Sequence, residues 1–239
     1  MYIIFGWLNE SYKFLMERRG ALTLIKTNVM KTLLAFFGIL LLVGCKETTT
    51  SENETTHDTD QTEIKKENAD ISNELADVMS GMMERMHKTP RKGIADFDLA
   101  ALMKEHHQGA IDMSTAYIPH ATDERLKQMA EQIKAKQKSE MDALNEVMKS
   151  AESAASDYDP ANTSSGLGKE LSDNMTESMK MPKGDINPDK AYAVMMKKHH
   201  EDGIAMAEII SKYAKSQKLK ELAAVIIADQ KKEVEELSR

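Results

Sequence analysis

From residue 99 onward the apolar positions fall at helical spacing. Leu99, Leu102, Met103, His106, Ala110, Met113 and Tyr117 stand at offsets of 0, 3, 4, 7, 11, 14 and 18 residues, and Tyr192, Met195, Met196, His199, Gly203, Met206 and Ile210 repeat those offsets. Each set traces one stripe of an amphipathic helix that faces a core. A shift of 93 residues, without a gap, superimposes both stripes and their surroundings. Met82 and Met86 fall on Met175 and Met179, and Met103, His106, His107, Ile111 and Met113 on Met196, His199, His200, Ile204 and Met206. Leu126, Ala130, Ile133, Gln137, Glu140 and Leu144 fall on Leu219, Ala223, Ile226, Gln230, Glu233 and Leu237. Two copies of one unit are the simplest account.

Each copy reads as a short Met-rich helix, a longer His-bearing helix and a further long helix. Asn187-Pro188-Asp189 supplies an N-cap and a proline at the first helical position, and Asp96 or Asp98 can cap the equivalent helix of the first copy. Pro119 followed by Thr122-Asp123-Glu124 marks a break and a new capped start, and Ser216 does the same in the second copy. Two long helices per copy predict an all-α four-helix bundle, with the short Met-rich helices packed outside it or across one end. The copies span residues 74–150 and 167–239, joined by a Ser/Thr/Asp-rich linker at 151–166.

The chain before residue 74 has a different pattern. Leu33 to Val43 is an apolar run of 11 residues, short of the roughly 20 that cross a bilayer but suited to a signal-peptide core. Leu42-Val43-Gly44-Cys45 resembles a bacterial lipobox, in which Cys45 is lipidated and becomes the first mature residue. Residues 1–44 are thus expected to be an upstream extension and a lipoprotein signal peptide, with Met30-Lys31 the natural start. Residues 45–73 are Thr, Ser, Glu, Asp and Asn with almost nothing apolar. That composition predicts a disordered tether. The expected address is the bacterial cell envelope, periplasmic or surface-facing, with membrane contact through the lipid anchor.

Composition narrows the function classes. A net charge of −7 argues against nucleic acid as a partner. One Cys excludes a disulfide framework and a cysteine zinc site. Aromatic residues at 5% argue against a β-sandwich, and 18 Met stand out.

The chemistry lies in the stripes. His106 and His199 occupy core-facing positions, with His107 and His200 beside them, and an unpaired buried polar group costs on the order of 1–3 kcal/mol. On an ideal helix Met103 and His106 project within roughly 60° of each other and about 4.5 Å apart along the axis, a workable chelate. His107 is an alternative partner for Met103, and Met113, about 10.5 Å further along, needs another helix to share an ion. Met82 and Met86 form a two-thioether face that Met175 and Met179 repeat. Thioether and imidazole suit soft ions, Cu(I) and by the same softness Ag(I). The alternatives are core packing, foremost for Met113 and Met206, and a Met-lined groove for an apolar peptide. A di-iron oxidase is disfavoured, because within the two repeats Glu84-x-x-His87, on the short helix, is the one Glu-x-x-His. No nucleophile or phosphate loop points to an enzyme.

Met-x-x-His-His-x-x-x-Ile-x-Met (residues 103–113), followed by Ala-x-x-Ile-x-x-x-Gln-x-x-Glu (130–140), resembles domain-of-unknown-function family 305, a ferritin-like helical bundle. The resemblance covers roughly residues 75–239. It implies a periplasmic or secreted protein for copper binding and tolerance, with Met103, His106, His107 and Met113 and their counterparts Met196, His199, His200 and Met206 as ligands. One departure is that Gly109 has no aligned glycine; Gly203 falls one place later. The resulting expectation is an envelope lipoprotein that buffers copper or passes it to a copper-trafficking protein. Against it stands a metal-free helical module for interaction or structure.

Overall fold

The computed structural model describes residues 58–239, with side chains from residue 71 onward. Cys45, the leader and the first part of the expected tether lie outside the described residues. Within them the chain is all-helical: α1 (Asp58–Lys88), α2 (Ala95–Tyr117), a 3-10 turn (Ile118–His120), α3 (Glu124–Ala151), α4 (Gly166–Ser178), α5 (Pro188–Tyr213) and α6 (Gln217–Leu237). The pairs α2–α3 and α5–α6 are the two most extensively packed, forming one helical hairpin per repeat. Helix α2 lies against α5, and α3 touches α6. Helix α1 packs on α2 and α5, while α4 packs on α5. One continuous apolar core runs through all six helices.

One expectation changes. The first Met-rich helix is not short: α1 has 31 residues and begins at Asp58, inside the stretch read as tether. Low apolar content was the argument for disorder there, but helix formation needs little burial once a nucleus exists. Ile71, Leu75, Met79, Met82 and Met86 anchor the C-terminal part of α1 in the core. Ahead of them, Glu63, Lys65, Lys66 and Glu67 are good helix formers, and Asp58 and Asp60 suit the positive end of the helix dipole. The linker, in turn, is pinned. Gly93, at φ 73°, accepts at its carbonyl from the amides of Asp157 (2.8 Å) and Tyr158 (3.2 Å), and the Tyr158 hydroxyl donates to Asp98 (2.7 Å).

The caps fall partly where the sequence puts them. Asp123 accepts from the amides of Arg125 and Leu126, Asn187 from Lys190, and Ser216 from Leu219. Neither Asp96 nor Asp98 caps its own helix; the residue at that position is Ile94, without a side-chain bond. Asp98 instead accepts from the amides of Lys92 and Gly93. Asp96 reaches into the other repeat, where its two oxygens take the amides of Lys215 (2.8 Å) and Ser216 (2.9 Å) just before α6. Asp189, 93 residues later, takes the amides of Thr122 (3.0 Å) and Asp123 (3.1 Å) just before α3. Each repeat thus supplies the carboxylate that starts the last helix of the other. Tyr117 adds its hydroxyl to Asp189 (2.5 Å) and stacks on Tyr192, ring centroids 4.0 Å apart.

The displaced glycine also has a structural cause. A Cβ on Gly109 would come within 2.4 Å of the Met82 sulfur on α1, whereas one on Gly203 would meet Gln230 Oε1 at 2.5 Å and His106 Cε1 at 2.9 Å. The two glycines relieve different contacts, so they need not align.

Asp96→Ala and Asp189→Ala should each lower the unfolding free energy by about 1–2 kcal/mol, as lost caps do, measured by urea titration. Gly203→Ala should destabilise by about 1–3 kcal/mol through overpacking. Gly81→Ala, whose Cβ would meet nothing closer than Arg85 at 3.7 Å, should instead gain about 0.5–1 kcal/mol from helix propensity.

Candidate functional site

The site is built by the stripes of α2 and α5. Where these helices meet, His106 and His199 stack with ring centroids 3.9 Å apart. They are equivalent residues of the two repeats, 93 positions apart. His107 and His200 flank them, at 6.5 Å from His106 and 5.7 Å from His199 between ring centroids. All four imidazoles are 0% exposed.

Their polar atoms are poorly satisfied. His199 Nε2 lies 2.9 Å from the backbone oxygen of His106. Both nitrogens of His106, His107 and His200, and Nδ1 of His199, have no hydrogen-bond partner. Burial, reinforced by the neighbouring imidazoles, holds His106 and His199 well below the usual histidine range, so both are neutral at pH 7.

Two carboxylates enter from the outer helices of the hairpins. Glu140 Oε2 on α3 is 2.8 Å from His107 Nε2, and Glu233 Oε2 on α6 is 3.0 Å from His200 Nε2. The distances are those of hydrogen bonds, but the atoms are not aligned as such. Glu233 also meets Lys136 at 2.8 Å. Burial would raise its carboxyl, but the close approach of His200 and Lys136 outweighs that and holds it below its usual range. Gln137 and Gln230, one turn before the glutamates, are 1% exposed and carry unpaired amide oxygens.

These four residues are not among the sequence-predicted ligands, because Gln and Glu on helices rich in Lys and Glu ordinarily face water. The signal was present. Leu126, Ala130, Ile133, Gln137, Glu140 and Leu144 keep the offsets of a core stripe, and so do their counterparts. A Gln and a Glu on such a stripe point inward.

The predicted thioethers divide. Met103, Met196, Met113 and Met206 are buried in α2 and α5, and Met82 and Met86 are buried in α1. Met175 is buried, but the Arg91 guanidinium stands 2.8 Å from its sulfur. Met179 is 58% exposed, because α4 ends at Ser178 and leaves it beyond the last turn. The Met175/Met179 pair therefore does not reproduce the Met82/Met86 face. Among the described residues, no three His, Cys, Asp or Glu side chains group so as to hold a metal ion. A cation between the repeats would have to draw on the thioethers as well as the imidazoles.

The neutral histidines give a pH dependence with a definite sign. Below an ordinary imidazole value near 6.5 the unfolded chain binds protons that folded His106 and His199 refuse. Their contribution is therefore complete above about pH 6.5, and stability falls as the pH drops below it, by up to about 1.4 kcal/mol per pH unit for each histidine. Urea midpoints between pH 7.5 and 5.5 should show this slope, and a His106→Gln/His199→Gln variant should flatten it.

No curated protein and no solved structure matches the chain. Residues 45–148 and 96–239 match, as two overlapping segments, the family described as Domain of unknown function (DUF305). With its two copies of the His-bearing unit, the chain belongs to the DUF305 family.

Proposed function

We propose that this chain binds soft cations, Cu(I) and by the same chemistry Ag(I), in the interior between its two repeats, and serves to buffer or tolerate them at the bacterial cell envelope. One observation carries the reading: four fully buried imidazoles meet there with nearly all their nitrogens unpaired. Each unpaired group costs on the order of 1–3 kcal/mol, against a typical domain stability of about 5–15 kcal/mol. A cation taken up by neutral imidazole nitrogens would offset that cost. His106 and His199 are already in the deprotonated form that a ligand needs. Buried Met103 and Met196, each three residues before a histidine on the same helix, would supply soft sulfur. The ion is cargo in this reading, and the protein a binder and not an enzyme. Lipidation at Cys45 would hold it at a membrane, within reach of a copper-trafficking partner; among the described residues no helix is long and apolar enough to cross one.

A metal-free structural or interaction module is the second reading. It is favoured by the bond between His199 and the His106 backbone oxygen and by the glutamates beside His107 and His200.

Anaerobic titration of the full chain with Cu(I) against a competing chelator separates the two. Tight binding should be lost when Met103, His106, Met196 and His199 are all replaced, and Ag(I) should raise the melting temperature of the wild type alone. Cu(I) binding by the wild type no tighter than by the variant would overturn the soft-cation reading and favour the metal-free one.

A further inference from the structure

We propose that Glu140 and Glu233 are positioning residues of this centre: each holds the Nε2 edge of a histidine on the neighbouring helix, His107 and His200, and leaves Nδ1 as the nitrogen with a free lone pair. The assignment rests on geometry. Each carboxylate oxygen lies within 3.0 Å of an imidazole Nε2, on the same atoms in both repeats. A nitrogen lone pair and a carboxylate oxygen repel at that distance, so a proton lies between them. In the neutral ring that proton is on Nε2, which places the lone pair on Nδ1, and neither Nδ1 has a competing partner. Carboxylates that orient ligating histidines in this way fix both tautomer and ring direction.

The two copies are unequal in one respect. Lys136 pairs with Glu233 at 2.8 Å and with Asp229 at 3.5 Å. The residue 93 positions after Lys136 is Asp229 itself, so no lysine stands in the equivalent place beside Glu140. Lys136 shares the hold on Glu233, while Glu140 is set by His107 alone in this respect.

The consequence for metal affinity rests on the proposed soft-cation site; the tautomer assignment does not. Long-range proton–nitrogen spectra of the imidazoles in the metal-free full chain at pH 7.5 should show His107 and His200 protonated at Nε2. Glu140→Leu should release the His107 tautomer and leave His200 unchanged, Glu233→Leu should do the reverse, and Glu140→Gln, which keeps an acceptor oxygen, should restore most of the His107 signature. Ag(I) affinity should fall by about 10–100-fold in each Leu variant. Protonation at Nδ1 in the wild type would overturn the proposal whether or not any variant folds. So would a loss of melting temperature in the Leu variants with tautomers and affinity unchanged. Nε2 protonation in a wild type that binds no Ag(I) would uphold the positioning role and overturn the soft-cation reading.

Discussion

The meeting of four imidazoles in a dry interior is the constraint around which this protein is arranged. Helices α2 and α5 bring equivalent histidines face to face at 3.9 Å, inside a core that is otherwise aliphatic and Met-rich. A low-dielectric surround penalises the charged form of each ring and leaves little water to satisfy the neutral one. The neighbouring features are responses to that difficulty. A backbone oxygen takes one nitrogen, two glutamates approach two others, and Gly203 gives up its side chain so that Gln230 can come close to the His106 ring. What they leave unsatisfied is what the proposed soft-cation reading assigns to a ligand.

The glutamates also change the chemical character of the centre. The motif on α2 and α5 offers sulfur and imidazole alone, which suits soft ions. Glu140 and Glu233 add hard oxygen, but against the far edge of His107 and His200, and no three hard or imidazole groups converge among the described residues. In the proposed soft-cation centre their place is beside the ligands. This keeps the softness argument while explaining why acidic residues sit 8–9% exposed on helices whose other charges face water.

Much of this was legible in the amino-acid sequence, for identifiable reasons. Helical periodicity and the gapless 93-residue shift give three helices per repeat and place His106 and His199 on core-facing stripes, but that the two rings meet is seen only in the fold. Side-chain caps at Asp123, Asn187 and Ser216 are local and could be read directly. Contacts between distant segments could not. Asp96 and Asp98 look like caps of their own helix, yet one serves the other repeat and the other binds the preceding loop. Nor does composition show that a polar segment such as residues 58–70 continues a helix already anchored further along. Gln137 and Glu140 were hidden by residue type: their spacing is that of a core, and their chemistry that of a surface.

The exchange of carboxylates between repeats bears on ancestry. A chain with a single unit would carry the aspartate and the pair of backbone amides but could not bring them together within itself, since in this fold each reaches across to its equivalent. It could satisfy both by associating with a second copy about a twofold axis, the commonest form of self-association. Tandem fusion replaces that encounter with a covalent one, so the histidine pair assembles at any dilution. Once fused, the halves were also free to diverge. A lysine at 136 opposite an aspartate at 229, and glycines one place out of step, are differences a symmetric dimer of identical chains could not hold.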